Sequence, residues 1–270
     1  LNGVRSGAFR VAMILAGSGA LLVADAFDWH AAWIALAAAF ALLAVAALFL
    51  PEQERAPRAA GERADLGALW RWLARPQMAL FVVFLLLYKL GDQALNRMLE
   101  PFWVDRGMTL AEIALAANTL GLGLSAAGAL LGGWFVARRG TFSGLVWMGL
   151  AQAASNLAYF AVAAYELPRE SIYVASAIEY LTQGMGSAAL LAFMTLLCDR
   201  AHAATQYALV SALIAFSRDL AGALSGFGAE RFGYAGFFAL TALLALPGLA
   251  LLPWLAPRVA VLEQGEARAA

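Results

Sequence analysis

The sequence predicts an all-α protein that crosses a lipid bilayer about eight times. The composition is 63% hydrophobic and only 13% charged, with a mean hydropathy of +0.74, whereas ordinary soluble domains carry about 25% charged residues. The apolar residues fall in continuous Ala/Leu-rich runs of roughly 20, the length an α-helix needs to cross a hydrocarbon core of about 30 Å. Polar and apolar residues do not alternate at period two within these runs, which sets a membrane barrel aside.

The predicted spans run from Ala8 to Ala24, Ala31 to Leu50, Met78 to Asn96, Ile113 to Ala137, Phe142 to Ala164, Ile172 to Leu197, Thr205 to Ala229 and Ala235 to Leu255. Gly121, Gly123, Gly128, Gly132 and Gly133 allow close helix contact in the fourth. Between the second and third spans, residues 51–76 carry Pro/Gly punctuation and five arginines. A short stretch there places Leu66, Leu69, Trp70 and Leu73 on one face and reads as an amphipathic helix lying at the membrane surface, with Trp70 and Trp72 as interface anchors.

If the spans alternate in direction, Arg5, Arg10, Arg55, Arg58, Arg63, Arg71, Arg75, Arg138, Arg139, Arg200, Arg258 and Arg268 share one side, and Arg97, Arg106, Arg169 and Arg231 the other. The arginine-rich side is expected to be cytoplasmic. With 18 Lys+Arg against 18 Asp+Glu the chain is formally neutral and presents no field for nucleic acid. Cys198 is the only cysteine, and His30 and His202 have no companions at ligand spacing, so no metal site or cofactor is expected. An enzyme is disfavoured because no nucleophile with an oriented base can be placed.

An internal repeat defines the architecture. Residues 24–33, ADAFDWHAAW, match residues 229–238, AERFGYAGFF, in an acid (Asp25, Glu230), a phenylalanine (Phe27, Phe232) and two further aromatics (Trp29 with Tyr234, Trp33 with Phe238). If the first two spans correspond to the last two, the repeat unit holds six helices and the complete protein twelve, so the chain is expected to begin at the fifth helix of a longer protein. Two parallel six-helix halves are the arrangement of the major facilitator superfamily. The stretch GGWFVARRG, residues 132–140, resembles its short glycine-bounded basic turn, with Ala137 where an Asp is usual. The expected domains are residues 1–50, the last two helices of an N-terminal bundle; 51–76, a cytoplasmic linker; 77–256, a C-terminal six-helix bundle; and 257–270, a cytoplasmic tail.

Charged groups at bilayer depth cost about 3 kcal/mol each on insertion scales, so those retained face a cavity or a partner. Lys89, Asp92, Glu179, Arg218 and Asp219 lie inside predicted spans. On the third span Lys89, Asp92, Gln93, Asn96 and Glu100 form one helical stripe. Glu179 and Gln183, followed by Gly184 and Gly186, pair on the sixth, and Gln152 and Asn156 on the fifth. In one reading Lys89 pairs with Asp92, and Arg218 with Glu179 or Asp219, as static clamps. In the other, Lys89 and Arg218 attract an anionic or hydroxyl-rich solute while Asp92 or Glu179 takes up and releases a proton.

The motifs LYKLGD (87–92), QAASNLAYF (152–160), GMGSAALLAFMTLLCDR (184–200), ATQYALVSAL (204–213) and ALPGLALL (245–252) closely resemble those of AmpG-type muropeptide permeases of the major facilitator superfamily. The resemblance implies proton-driven uptake of anhydro-muropeptide wall fragments across the bacterial inner membrane. Lys89, Asp92, Asn118, Glu179, Gln206 and Arg218 match polar positions of the family pattern. With the intramembrane polar residues above, solute-facing roles are expected for Lys89, Asn96, Asn118, Gln152, Asn156, Gln183, Gln206 and Arg218, and proton coupling for Asp92 and Glu179. The chain departs from the family pattern at Arg97, Glu100, Ala117 and Tyr180. Two alternatives stand beside this reading: a transporter of another anionic solute such as acetyl-CoA, and a membrane sensor or assembly factor that moves no solute. The oligomeric state is left open by the sequence.

Overall fold

The computed structural model describes residues 16–49, 66–199 and 202–269. The expected start of the first span, most of the linker's arginines and Arg200 lie outside the described residues. The described residues are helical almost throughout: α1 (Ala16–Ala26), α2 (Trp29–Leu48), α3 (Leu66–Leu73), α4 (Met78–Tyr88), α5 (Leu90–Asp105), α6 (Leu110–Ile113), a π-helical stretch (Ala114–Leu120), α7 (Gly121–Arg139), α8 (Thr141–Ala164), α9 (Ser171–Leu197), α10 (Ala203–Ala250) and α11 (Leu252–Ala269). Six helical segments among the described residues are long and apolar enough to cross a bilayer.

Two compact units are formed, one from Leu1–Leu66 with Met108–Leu122, the other from Gly67–Gly107 with Gly123–Ala270. In the first, the Ser18 hydroxyl donates to the Ala114 carbonyl at 3.2 Å, and Gly17 leaves room for Asn118, whose Oδ1 would lie 2.8 Å from an added Cβ. Thr109 caps the helix that follows it: its hydroxyl accepts the Glu112 N–H, and the Glu112 carboxylate returns to the Thr109 N–H.

The second unit holds the larger core. Its apolar interior joins Phe81, Phe84 and Tyr88 to Leu145, Met148, Phe193, Val210, Leu255 and Val259. Large apolar side chains such as Trp134, Trp147, Val174, Phe216, Phe227 and Trp254 point outward instead, as expected of a bundle solvated by lipid tails rather than water. Since burial of apolar surface then gives little drive for helix association, close backbone approach must supply it. Gly128 lies against the Leu181 carbonyl and Gly184 against that of Ser125, so that a Cβ at either position would stand 2.1 Å from a backbone oxygen. That reciprocal contact clamps α7 to α9.

Two predicted spans, the seventh and eighth, are helically continuous except at Gly233, whose φ of 67° and ψ of 170° break α10 where the sequence places a loop. The third span runs nine residues past its expected end at Asn96, to Asp105, because Arg97 and Glu100 continue the helix instead of closing it. Arg97 therefore lies within a membrane helix and not in a loop with Arg106 and Arg169. Arg106 donates to the Leu167 carbonyl, Arg169 to that of Gly107 at 3.3 Å, and the Tyr234 hydroxyl to Asp105 at 2.6 Å, which gathers one set of loops at one end.

At the opposite end the linker helix is docked, and its inward face differs from the expected one. Trp70 is exposed, whereas Trp72 is buried and its indole N–H donates to the Leu197 carbonyl at 3.2 Å. The indole satisfies a carbonyl that α9 leaves free at its C-terminus. Arg75 adds a two-pronged pair to Asp199 at 2.8 and 3.2 Å. Where the sequence places the tail, α11 buries Val259, and Glu263 accepts the Thr141 N–H at 2.6 Å, a carboxylate at the N-terminus of α8. Gly140, with φ of 85°, makes the tight turn between α7 and α8 that a residue with a side chain would resist.

Burial alone would raise the Asp199 carboxyl, but hydrogen bonds from Arg75 and Gln206 and the charges of Arg75 and His202 outweigh it and hold it below the ordinary 3.8. A carboxyl whose folded-state value is lowered contributes stability above its unfolded value and loses it as pH falls through the folded one. Asp199→Asn is therefore expected to lower the Tm in detergent at pH 7, and the difference from wild type should disappear in strong acid; a difference independent of pH would contradict the ion pair. Gly184→Val is expected to cost about 1–3 kcal/mol through overpacking against α7, read as a fall in Tm by fluorescence-detected size exclusion.

Candidate functional site

A set of polar residues of the second unit is turned inward, among them Lys89, Asp92, Gln152, Asn156 and Glu179. Lys89 interrupts the third span: with φ of −104° and ψ of 3° it separates α4 from α5. Packing at the break is close, since a Cβ on Gly248 would meet the Tyr88 backbone at 2.6 Å and one on Gly91 the Thr241 carbonyl at 2.2 Å. The Tyr88 hydroxyl donates across to the Leu145 carbonyl at 2.9 Å.

At this break the Lys89 side chain is only 4% exposed. Its ammonium donates to Asp92 Oδ2 at 3.1 Å and to Gln152 Oε1 at 2.7 Å. Gly186 makes the second bond possible, because a Cβ there would stand 2.5 Å from Gln152 Oε1. An ammonium has three donors; two are engaged within the cluster, and Lys89 also lines a cleft of about 240 Å³ with Gln93, Ser187, Leu190, Met194 and Ser211.

The network continues from Asp92 to Glu179, which is fully buried. The Asn96 amide donates to the Asp92 carbonyl at 2.9 Å and reaches both carboxylates, Asp92 Oδ1 at 3.5 Å and Glu179 Oε1 at 3.4 Å. Ser155 donates toward Glu179 Oε2 at 2.6 Å, and Gln183 donates to Asn96 Oδ1 at 3.3 Å. Asn156 is completely buried with neither amide atom hydrogen-bonded, and Gln152 Nε2 is likewise unpaired. Toward the Asp105 end, Phe102, Tyr159, Tyr234 and Phe238 pack ring against ring over this column, with centroids 5.0–6.4 Å apart.

Six of the ten residues singled out in the sequence thus join one hydrogen-bond network, Lys89 at the break between α4 and α5, Asp92 and Asn96 on α5, Gln152 on α8, and Glu179 and Gln183 on α9, while Asn156 is buried on α8 without a hydrogen bond to it. Gln206 stands apart, at the loop between α9 and α10. Its Oε1 accepts the Asp199 N–H at 2.6 Å and its Nε2 donates to Asp199 Oδ2 at 3.3 Å, which is an anchoring role. Asn118 belongs to the first unit, beside Gly17.

Arg218 is not beside Lys89 or Glu179. It is half-exposed and donates to its neighbour Asp219, which also accepts from Arg97. The sequence marks Arg97 only as a departure from the family pattern and does not place it with the polar stripe, although it lies eight residues after Lys89, about two helical turns along it. Ser155 was missed as well; its signal is the spacing of three between Gln152 and Ser155 on one helix face. The Cys198 thiol, pushed up by burial and then by Asp199, donates to the Met194 carbonyl at 3.2 Å as a packed side chain.

No family model matches the chain. It is 28% identical over 266 residues to the putative transporter AmpG 4 of Rickettsia felis, covering 94% of this chain and 63% of that protein. It is 32% identical over 249 residues to the anhydromuropeptide permease of Escherichia coli K12, covering 90% of this chain and 50% of the relative. A third relative, the putative transporter AmpG 2 of Rickettsia bellii, is 26% identical over 256 residues, with 93% and 62% covered. The chain therefore spans between half and somewhat under two thirds of the length of these relatives. Taken with the membrane helices, the similarities show that the chain belongs to the AmpG-type permease family of the major facilitator superfamily.

Proposed function

We propose that the protein is a proton-coupled permease that takes anionic muropeptides across the bacterial inner membrane toward the cytoplasm, and that it acts by alternating access and not as an enzyme. The observation that carries this is the Lys89–Asp92–Glu179 cluster: one ammonium and two carboxylates held together by Asn96 in the membrane interior. Fully ionised, the cluster bears one uncompensated negative charge, which is costly away from water. One proton neutralises it, so gain and loss of that proton is a two-state event inside a helix bundle.

Several features support linking that event to solute movement. The cluster sits on a discontinuous helix, as coupling sites in secondary transporters do. It meets a cleft through Lys89, whereas its far side is covered by the ring cluster of Phe102, Tyr159, Tyr234 and Phe238. Arg71, Arg75, Arg138, Arg139 and Arg258 lie on helix ends and connections expected on one side of the membrane, which supports a cytoplasmic orientation of the cleft by the positive-inside rule. In this reading residues 1–50 end one bundle, 51–76 link it to the next, and 77–256 form the second bundle. The solute named in the Escherichia coli relative, an anhydromuropeptide, fits a site that offers cations and amides.

In proteoliposomes of the full-length protein, Glu179→Gln and Asp92→Asn are each expected to abolish accumulation of anhydromuropeptide driven by a pH gradient, while exchange without a gradient persists. Wild-type accumulation by both variants would overturn the proton-coupling assignment.

A further inference from the structure

Arg97 on α5 and Arg218 on α10 approach the same atom, Asp219 Oδ1, at 3.3 and 3.4 Å. All three side chains lie within membrane-length helices, and their exposures are 49%, 50% and 65%. Ionic groups this exposed at bilayer depth are not tolerated against lipid, so the face they share borders water. Within this trio two guanidiniums against one carboxylate leave a surplus of one positive charge, beside Glu100 one turn further along α5.

Local packing sets the fork. A Cβ on Gly222 would lie 3.0 Å from Arg97 Nε, and its absence lets the Arg97 side chain lie across α10 toward Asp219. Each guanidinium carries five N–H donors, and among the described residues each makes a single bond, to Asp219. Both contacts are longer than the 2.7–2.9 Å of a strong charge-assisted bond. Asp219 thus holds the two arginines loosely, with most of their donors turned to water. Gln183 and Asn96, one residue before Arg97, connect this face to the buried cluster.

We propose that Arg97 and Arg218 form a clamp for a carboxylate group of the solute, with Asp219 as an internal stand-in that the solute carboxylate displaces. The planar forks of two arginines match a carboxylate's two oxygens, and an incoming anion neutralises the surplus charge that Asp219 leaves uncompensated. The clamp deepens the permease reading and rests on it.

The test is calorimetric titration of the purified full-length protein with an anhydromuramyl peptide bearing free carboxylates, with its fully amidated form, and with a coenzyme A ester. The free acid is expected to bind more tightly than the amide. Arg97→Gln should weaken the acid about tenfold, the loss of one charge-assisted contact, and leave the amide unchanged. Asp219→Asn should hold or tighten binding of the acid, because it removes the competitor. An ion pair that merely ties α5 to α10 predicts the opposite: Arg97→Gln and Asp219→Asn weaken acid and amide alike, which would overturn the clamp. Equal affinity of acid and amide in the wild type would also overturn it while leaving transport intact. Arg97-dependent binding of the coenzyme A ester but not the muramyl acid would move the anion to a phosphate and overturn the carboxylate assignment. Failure of every ligand to bind or be moved by the wild type would overturn the permease reading together with the clamp.

Discussion

An ammonium buried among membrane helices has little water to fall back on, and much of the second unit is arranged around satisfying the one at Lys89. Its donors need acceptors from two directions: Asp92 supplies one from the next turn and Gln152 the other from α8. The second is reachable only because Gly186 leaves α9 without a side chain at that height. Opening the helix at Lys89 exposes backbone that must also be packed, and the close seats of Gly91 and Gly248 against α10 and the Tyr88–Leu145 bond do that. Glycine placement, helix breakage and the ion pair are thus one solution to one desolvation problem.

The span boundaries were legible because hydrophobic length is a direct consequence of bilayer thickness: the fifth and sixth predicted spans agree with α8 and α9 to within one residue at each end. The third failed at its end for an equally physical reason. Arg97 and Glu100 look like the edge of a membrane in a hydropathy scan, but α5 continues through both to Asp105, since a helix carries charge wherever its side chains reach water. Gly233 was read as part of a loop and proves to be a single-residue break, because one glycine in the left-handed region turns the chain without a spacer.

Much of the site was also visible in sequence, as polar residues at helical spacing on three apolar spans, since such residues are retained at bilayer depth only with partners. Periodicity along one helix does not say which residue of another helix is met, however. Gln206 has the same polar character as Gln152, yet it sits beyond the end of α9 and binds the loop at Asp199. Trp72 was likewise ambiguous: an indole next to a membrane surface anchors equally well in lipid headgroups or in a free helix-end carbonyl, and the Leu197 carbonyl decides it.

The charges fall into two environments with different consequences. Lys89, Asp92 and Glu179 are nearly dry, where Coulomb interactions are strong and each change of protonation is felt by every neighbour. Arg97, Arg218 and Asp219 are half-hydrated, where the same interactions are weaker and an external anion can compete. Asn96 touches the first group, and Arg97, the next residue on α5, belongs to the second. In the proposed mechanism, binding at the wet pair and proton gain at the dry cluster would be adjacent on one helix without sharing a charge. A site that used a single set of residues for both would have to be hydrated enough to admit the solute and dry enough to hold the proton, and the proposed separation of the two along α5 would remove that conflict.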